Sequence, residues 1–249
     1  MTYTPASSII TFAKDIIDMF MNFGVLYIVA TPIGNLEDIT LRAIRVISEA
    51  DIILAEDTRV TKKLLASSNF QFPISNFQLL SYQQQSGDKR RLEILNFLLE
   101  GKNIALVTDA GTPGISDPGN ELIEFLLSYK PDFKIVPIPG VSAITTALSV
   151  CGFRADKFLF LGFWPKKKVN RLIELIKLTK MNFVFYESPF RILKTLGTLE
   201  KSFGSDLRVF VGRELTKMHE THYRGSIRKV IKTLRGEKIK GEIVVIIQS

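Results

Sequence analysis

Ile104-Ala105-Leu106-Val107-Thr108-Asp109-Ala110-Gly111-Thr112-Pro113-Gly114-Ile115-Ser116-Asp117-Pro118-Gly119 is the stretch on which the fold turns. Its opening is apolar and has the length of a buried strand, predicted here over Ile104–Thr108. Its remainder is small and polar, with Gly111, Gly114, Gly119, Pro113 and Pro118 letting backbone N–H and C=O groups approach a ligand closely. Asp117, with Pro118 at a first helical position, predicts a helix start. An ordinary strand-to-helix connection needs only about 2–6 residues, so the surplus predicts a binding loop.

Working outward, the same strand-then-helix alternation recurs. Further strands are predicted at Val25–Ala30, Asp51–Ala55, Phe77–Ser81 and Lys134–Ile138. Between them Leu41, Ala43, Ile44 and Ile47, then Leu92, Leu95, Phe97, Leu98 and Leu99, then Leu122, Ile123, Leu126 and Leu127 recur at helical spacing. This is the pattern of a parallel sheet with helices on its faces. The second half places strands at Phe158–Phe163, Phe183–Tyr186, Val209–Gly212, His222–Arg224 and Glu242–Ile247. The last of these follow too closely for parallel crossovers, so a mixed sheet is expected there. The division expected is an N-terminal extension (1–23), an N-terminal α/β domain (24–137) and a C-terminal α/β domain (138–249), joined at Pro137-Ile138-Pro139-Gly140.

Composition bounds the function. A hydrophobic fraction of 46% over 249 residues supplies the cores and argues against disorder. The 33 Lys and Arg against 25 Asp and Glu give a formal charge of +8, which favours a polyanionic partner. Cys151, the single cysteine, excludes an internal disulfide and a thiolate cluster and points to a reducing compartment, the cytoplasm. Before Val25, Lys14, Asp15 and Asp18 interrupt an apolar run, which argues against a membrane span or signal peptide. Two readings of that segment stay open, an amphipathic helix or a true translation start at Met19 or Met21.

Two more loops leave the predicted first sheet at its carboxyl edge, where open α/β sheets bind ligands. Ala30-Thr31-Pro32-Ile33-Gly34-Asn35 opens a helix near Asp38 or Thr40 and is neither a dinucleotide fingerprint nor a P-loop. Pro137–Ala143 offers Ser142 at a helix start, where a capping role is the simpler expectation. In the second half, Phe185–Arg191 precedes a helix begun by Pro189, and Val211–Lys217 has a similar build. If both strands open on one edge, Glu187, Arg213, Glu214 and Lys217 form a rim. His219 and His222 are spaced three apart in an expected strand, so they face opposite ways and no metal site is expected. Lys89-Arg90-Arg91, Lys166-Lys167-Lys168 and the set Arg224, Arg228, Lys229 and Lys232 are basic clusters suited to phosphate contacts, or to solvated faces.

Taken together, Leu26–Leu36, Ala55-Glu56-Asp57-Thr58-Arg59, Asp109–Gly119, Phe185–Pro189, Arg213-Glu214-Leu215-Thr216-Lys217 and Lys240-Gly241-Glu242 resemble one family. It is that of the bacterial 16S rRNA cytidine 2′-O-methyltransferases, members of the tetrapyrrole (corrin/porphyrin) methylase fold family. The resemblance implies a two-domain class III methyltransferase fold, with a parallel-sheet N-terminal and a mixed-sheet C-terminal domain. It also implies a homodimer, S-adenosylmethionine held between the domains, and a decoding-region cytidine of 16S rRNA, naked or in the small ribosomal subunit, as substrate. Carried over residue by residue, it points to Ile33, Thr108, Asp109, Ala110, Pro113, Ser142, Ala143, Glu187 and Gly225 as cofactor contacts. For proton removal from a ribose hydroxyl we name Glu214, with Arg213 and Lys217 as electrostatic partners. Where relatives often carry histidine and asparagine, this chain has Ser81-Tyr82-Gln83-Gln84-Gln85-Ser86-Gly87. A histidine base is therefore not expected there. Competing readings are a tetrapyrrole C-methyltransferase, against which the Thr31–Asn35 loop and the basic clusters argue, and a noncatalytic RNA-binding subunit.

Overall fold

The computed structural model describes residues 23–67 and 77–248, so the segment before Val25, with its two readings of an amphipathic helix or a later translation start, lies almost wholly outside the described residues. Two compact units emerge. One comprises Ile39–Gly140 with the strand that ends before Thr31, and the other comprises Pro32–Asp38 with the chain from Val141 onward.

In the first unit, β1 (Leu26–Val29), β2 (Ile52–Ala55), β3 (Gln78–Ser81), β4 (Ile104–Val107) and β5 (Ile135–Ile138) form a sheet of order β3-β2-β4-β1-β5. Every pairing is parallel. Period-2 alternation gives the sheet two apolar faces. Leu26, Ile52, Leu54, Ile104 and Leu106 meet α3 (Asp88–Leu99) and α4 (Asn120–Tyr129) through Ile94, Leu95, Leu98, Leu122 and Leu126. Val29, Ile53, Ala55, Ala105 and Val107 meet α1 (Leu41–Glu49) through Ala43, Val46 and Ile47. Leu41, expected on that face, is 85% exposed, because the 100° step from Ala43 and Ile47 turns the first helical residue outward. Thr40 caps α1 by accepting the Ala43 N–H at 3.0 Å. α2 (Thr58–Leu65) starts at Asp57 in the same way.

The second unit contains α5 (Ala143–Val150), β6 (Phe158–Phe163), α6 (Val169–Thr179), β7 (Asn182–Glu187), α7 (Ile192–Phe203), β8 (Arg208–Arg213), β9 (Thr221–Ser226), α8 (Ile227–Arg235) and β10 (Ile243–Gln248). The sheet order is β6-β7-β10-β8-β9. β6 and β7 are parallel, and β10 runs antiparallel to both β7 and β8. The last strand in sequence is thus the middle strand of the sheet. Ile243, Val245 and Ile247 point into a core shared with α6, α7 and α8, which includes Ile173, Phe183, Phe185, Leu196, Val211 and Val230. α5 packs against β10.

Three local expectations need correction. α4 begins at Asn120 with Gly119 as its N-cap, so Asp117 and Pro118 belong to the loop. Gly119 takes a φ of 143°, open to glycine but not to aspartate, which moves the cap past the Asp-Pro pair. α7 begins at Ile192, beyond Pro189. His219 precedes β9 and lies in a turn, so strand alternation does not govern its direction. Among the described residues no group of three or more His, Cys, Asp or Glu gathers as a metal site, and no helix is long and apolar enough to cross a membrane.

Candidate active site

The carboxyl ends of β4, β1 and β5 are neighbours in the first sheet, and the loops that leave them are bonded to one another. Thr31 and Gly111 exchange backbone hydrogen bonds of 2.9 and 3.0 Å, and the buried Thr31 hydroxyl donates to Thr108 O at 3.1 Å. Ala30 N–H donates to Ile138 O at 3.1 Å. Gly140 lies so near that a Cβ there would stand 2.9 Å from Ala30 Cβ. The loop Thr108–Gly119 is folded back on itself by Gly114 N–H to Pro118 O (3.2 Å) and Asn120 Nδ2 to Gly114 O (2.8 Å). Ser116, at φ 65°, is a non-glycine residue held in the left-handed region, a strain that collects at functional loops.

Thr108 and Asp109 stand where this edge opens. The Thr108 hydroxyl is buried and without a hydrogen-bond partner among the described residues, which costs stability unless a ligand meets it. Asp109 Oδ1 accepts the Asp57 N–H at 3.1 Å, tying in the loop after β2. Burial, then the Asp57 charge, pushes the Asp109 carboxyl up. Burial and then Asp109 push Glu56 up as well. Asp57, by contrast, is held down to about 2, chiefly by its hydrogen bonds from Arg59. Ala110 is half-buried and Pro113 buried in the same loop. Ser142 occupies the N-cap of α5 as expected, yet its hydroxyl makes no capping bond.

In the second unit, register brings the expected rim to one edge. Ile243 pairs with Glu187 on one side and Arg213 on the other, so both strands end at the same level. The segment after Arg213 is tightly wound, with Glu214 at φ 54° and Thr216 at φ 67°. Lys217 Nζ sits 3.0 Å from Glu214 Oε1 and 3.0 Å from Glu242 Oε2, and Glu214 Oε1 also accepts the Glu242 N–H at 2.9 Å. Burial alone would raise the Glu214 pKa, but the Glu242 N–H and Lys217 more than offset it and the carboxyl is lowered. The reverse holds for Lys217, which burial would lower and its two carboxylates raise. Arg213 spends its donors on His219 O, Thr221 Oγ1 and Lys240 O, at 3.1, 2.9 and 3.3 Å. Thr216 Oγ1 accepts the Asn35 N–H at 3.1 Å, so the segment that bears Ile33 is clipped to this turn.

A family model, Tetrapyrrole (Corrin/Porphyrin) Methylases, matches residues 25–231. The chain belongs to the tetrapyrrole methylase family. Within it, the chain is similar to the ribosomal RNA small subunit methyltransferase I of Thermotoga maritima, at 44% identity over 90% of this chain and 98% of that protein. It is also similar to the Bacillus subtilis protein of the same name, at 40% identity over 91% and 76%. Solved structures share the tetrapyrrole methylase fold at lower identity. The methyltransferase CobJ superposes with a TM-score of 0.67 at 16% identity, over 90% of this chain and 93% of that one. A Thermus thermophilus uroporphyrin-III C-methyltransferase, complexed with S-adenyl homocysteine, gives 0.62 at 14%, over 90% and 97%.

In the second unit, Glu187 and Gly225, both named from the resemblance, lie at different ends of the sheet. The Glu187 carboxylate is buried and already satisfied. It accepts Ser188 N–H and Thr195 Oγ1–H, both at 2.6 Å, and pairs with Arg191 at 3.2 Å. Gly225 lies four residues along β9 from Thr221, toward the opposite end of the sheet from Glu187 and Arg213. Thr108, Asp109, Ala110 and Pro113 stand together. Ile33 is buried, and Ala143 is half-buried at the first position of α5. Sequence reasoning missed Glu242, Asn35 and Thr216. Glu242 follows Gly241 in a motif already quoted for the resemblance, which was the available signal.

Proposed function

We propose that this chain methylates the RNA of the small ribosomal subunit, at the ribose 2′-hydroxyl of a decoding-region cytidine, with S-adenosylmethionine as donor. The observation that carries the reading is 44% identity across 98% of a protein named ribosomal RNA small subunit methyltransferase I. The first unit supports the choice of donor. A buried Thr108 hydroxyl without a partner among the described residues, the Asp109 carboxylate and the Gly111 backbone held against Thr31 fit the polar edges of an amino-acid-bearing nucleoside. Bound there, S-adenosylmethionine supplies a methyl group on a positively charged sulfur. A homodimer belongs to the same proposal.

Of this chain's residues, Thr108, Asp109 and the loop to Gly119 bind and orient the donor, and positioning carries much of the rate. In the second unit Lys217 and Arg213 keep the Glu214 carboxylate ionised. Among the described residues Glu214 Oε2 has no hydrogen-bond partner, and it is the proposed acceptor for the hydroxyl proton. Because its pKa is lowered, its share is modest.

Labelled methyl transfer to purified small subunits, followed by mass spectrometry of 16S rRNA fragments, tests the reading. A methyl on a cytidine ribose supports it; a labelled base, or no label, removes the finer or the whole claim. Thr108→Val leaves folding intact and weakens donor binding about fivefold to tenfold, the loss of roughly one hydrogen bond. Unchanged donor affinity removes Thr108 from the site. A Glu214→Gln variant with the parent single-turnover rate removes Glu214 as acceptor.

A further inference from the structure

The second unit carries a basic helix that this chemistry leaves unused. α8 buries Ile227, Val230, Ile231 and Leu234 and turns Arg228, Lys229, Lys232 and Arg235 to solvent. No acidic residue stands in its first turn. Arg228 and Lys229 there oppose the positive end of the helix dipole, and Lys232 repeats the charge three and four positions on. Lys232 and Arg235 lie in the last turn, where the dipole favours cations, so helix stability accounts for those two but not for Arg228 and Lys229. Nearby, Glu200 of α7 pairs with Arg228 at 3.2 Å and Glu237 accepts the Tyr223 hydroxyl. Among the described residues no carboxylate is recorded against Lys229, Lys232 or Arg235. Arg224, which the sequence groups with them, is committed elsewhere: it donates to Val150 O at 2.7 Å and lies 4.9 Å over the Phe210 ring.

The path of this helix gives the charge a direction. β9 ends at Ser226, level with Arg208, whereas β10 begins at Ile243, level with Arg213. α8, about 13 Å long, and the loop behind it carry the chain from one end of the sheet to the other. Lys238 and Lys240 continue the exposed row along that loop. Lys240 O accepts from Arg213 Nη1 at 3.3 Å, so the row finishes at the edge that holds Arg213, Glu214 and Lys217.

We infer that α8 is a docking track for the RNA strand flanking the methylated nucleotide, with Lys229, Lys232 and Arg235 meeting phosphates as point charges that do not read bases. The identity of the polyanion rests on the ribosomal RNA reading above. The test measures equilibrium binding of the full chain to purified small subunits and to a labelled single-stranded RNA, over a salt series. Lys229→Gln with Lys232→Gln is compared with Lys102→Gln and Lys134→Gln, which make the same charge change at exposed sites in the first unit. The α8 pair weakens binding roughly tenfold and lowers the slope of log affinity against log salt by about 1.4–1.8, while the control pair leaves both unchanged. Donor affinity stays at the parent value.

Equal slopes for the two pairs overturn the track. So does loss of binding to phosphatidylglycerol vesicles in the α8 pair with RNA binding intact. Because binding is read without turnover, a parent chain that binds RNA through α8 but methylates nothing defeats the proposed reaction and leaves the track standing.

Discussion

Replacing Glu187 separates a carboxylate that builds the fold from one that touches a cofactor. Its two buried bonds come from the Ser188 N–H and the Thr195 hydroxyl at 2.6 Å, and its third partner, Arg191, is partly exposed. A hydrogen bond to a charged group contributes roughly 1.5–3 kcal/mol, and breaking a buried pair costs about 3–5 kcal/mol. Arg191, 29% exposed, regains water when its partner goes, so the two buried bonds dominate. Glu187→Ala is therefore expected to lose about 3–5 kcal/mol, which for a chain of this size lowers Tm by roughly 10 °C. Glu187→Gln keeps an acceptor and loses about half as much. Differential scanning calorimetry reads the stability, and titration calorimetry with S-adenosylmethionine reads the site. Donor affinity of the Gln variant should stay within about threefold of the parent. A Gln variant with the parent Tm but much weaker donor binding would refute the reasoning, since the carboxylate would then face a ligand rather than the start of α7.

Two further outcomes follow from the Arg213–Lys217 turn. Gly241 has φ 86°, and a Cβ there would overlap the Glu214 carboxyl. Gly241→Ala is expected to cost about 1–2 kcal/mol in backbone strain and about 1–3 kcal/mol in overlap, and to slow methyl transfer modestly by displacing Glu214; thermal melts and turnover check both. The Glu214 pKa lies below its ordinary 4.5 in the fold, so its contribution is complete above that value and is lost as pH falls through the lowered one. Urea midpoints between pH 7 and pH 3 should converge for the parent and Glu214→Gln at the acid end, and a constant gap would contradict the sign.

The features legible in the sequence are those that depend on neighbours in the chain. Continuous apolar runs such as Ile104–Val107 and short turn-rich gaps after them are local, and they placed strands at β1 through β10. The common level of Glu187 and Arg213 is legible only as a condition, because it rests on β10 pairing with both β7 and β8. What the sequence concealed depends on pairing across long separations. That β10 lies between β7 and β8 has no local signal, yet it is why Glu242 reaches Lys217 and why the Glu242 N–H reaches Glu214, 28 positions away.

The same distinction bears on the proposed cofactor contacts. Loops leaving adjacent parallel strands must meet at one edge, so Thr31, Thr108 and Gly140 follow from sheet order once it is known. Glu187 and Gly225 belong to a mixed sheet, where the antiparallel neighbours from β7 through β10 and β8 to β9 end at opposite edges. There, a residue's place in a motif does not tell which end of the sheet it occupies; the number of strand reversals between the two does.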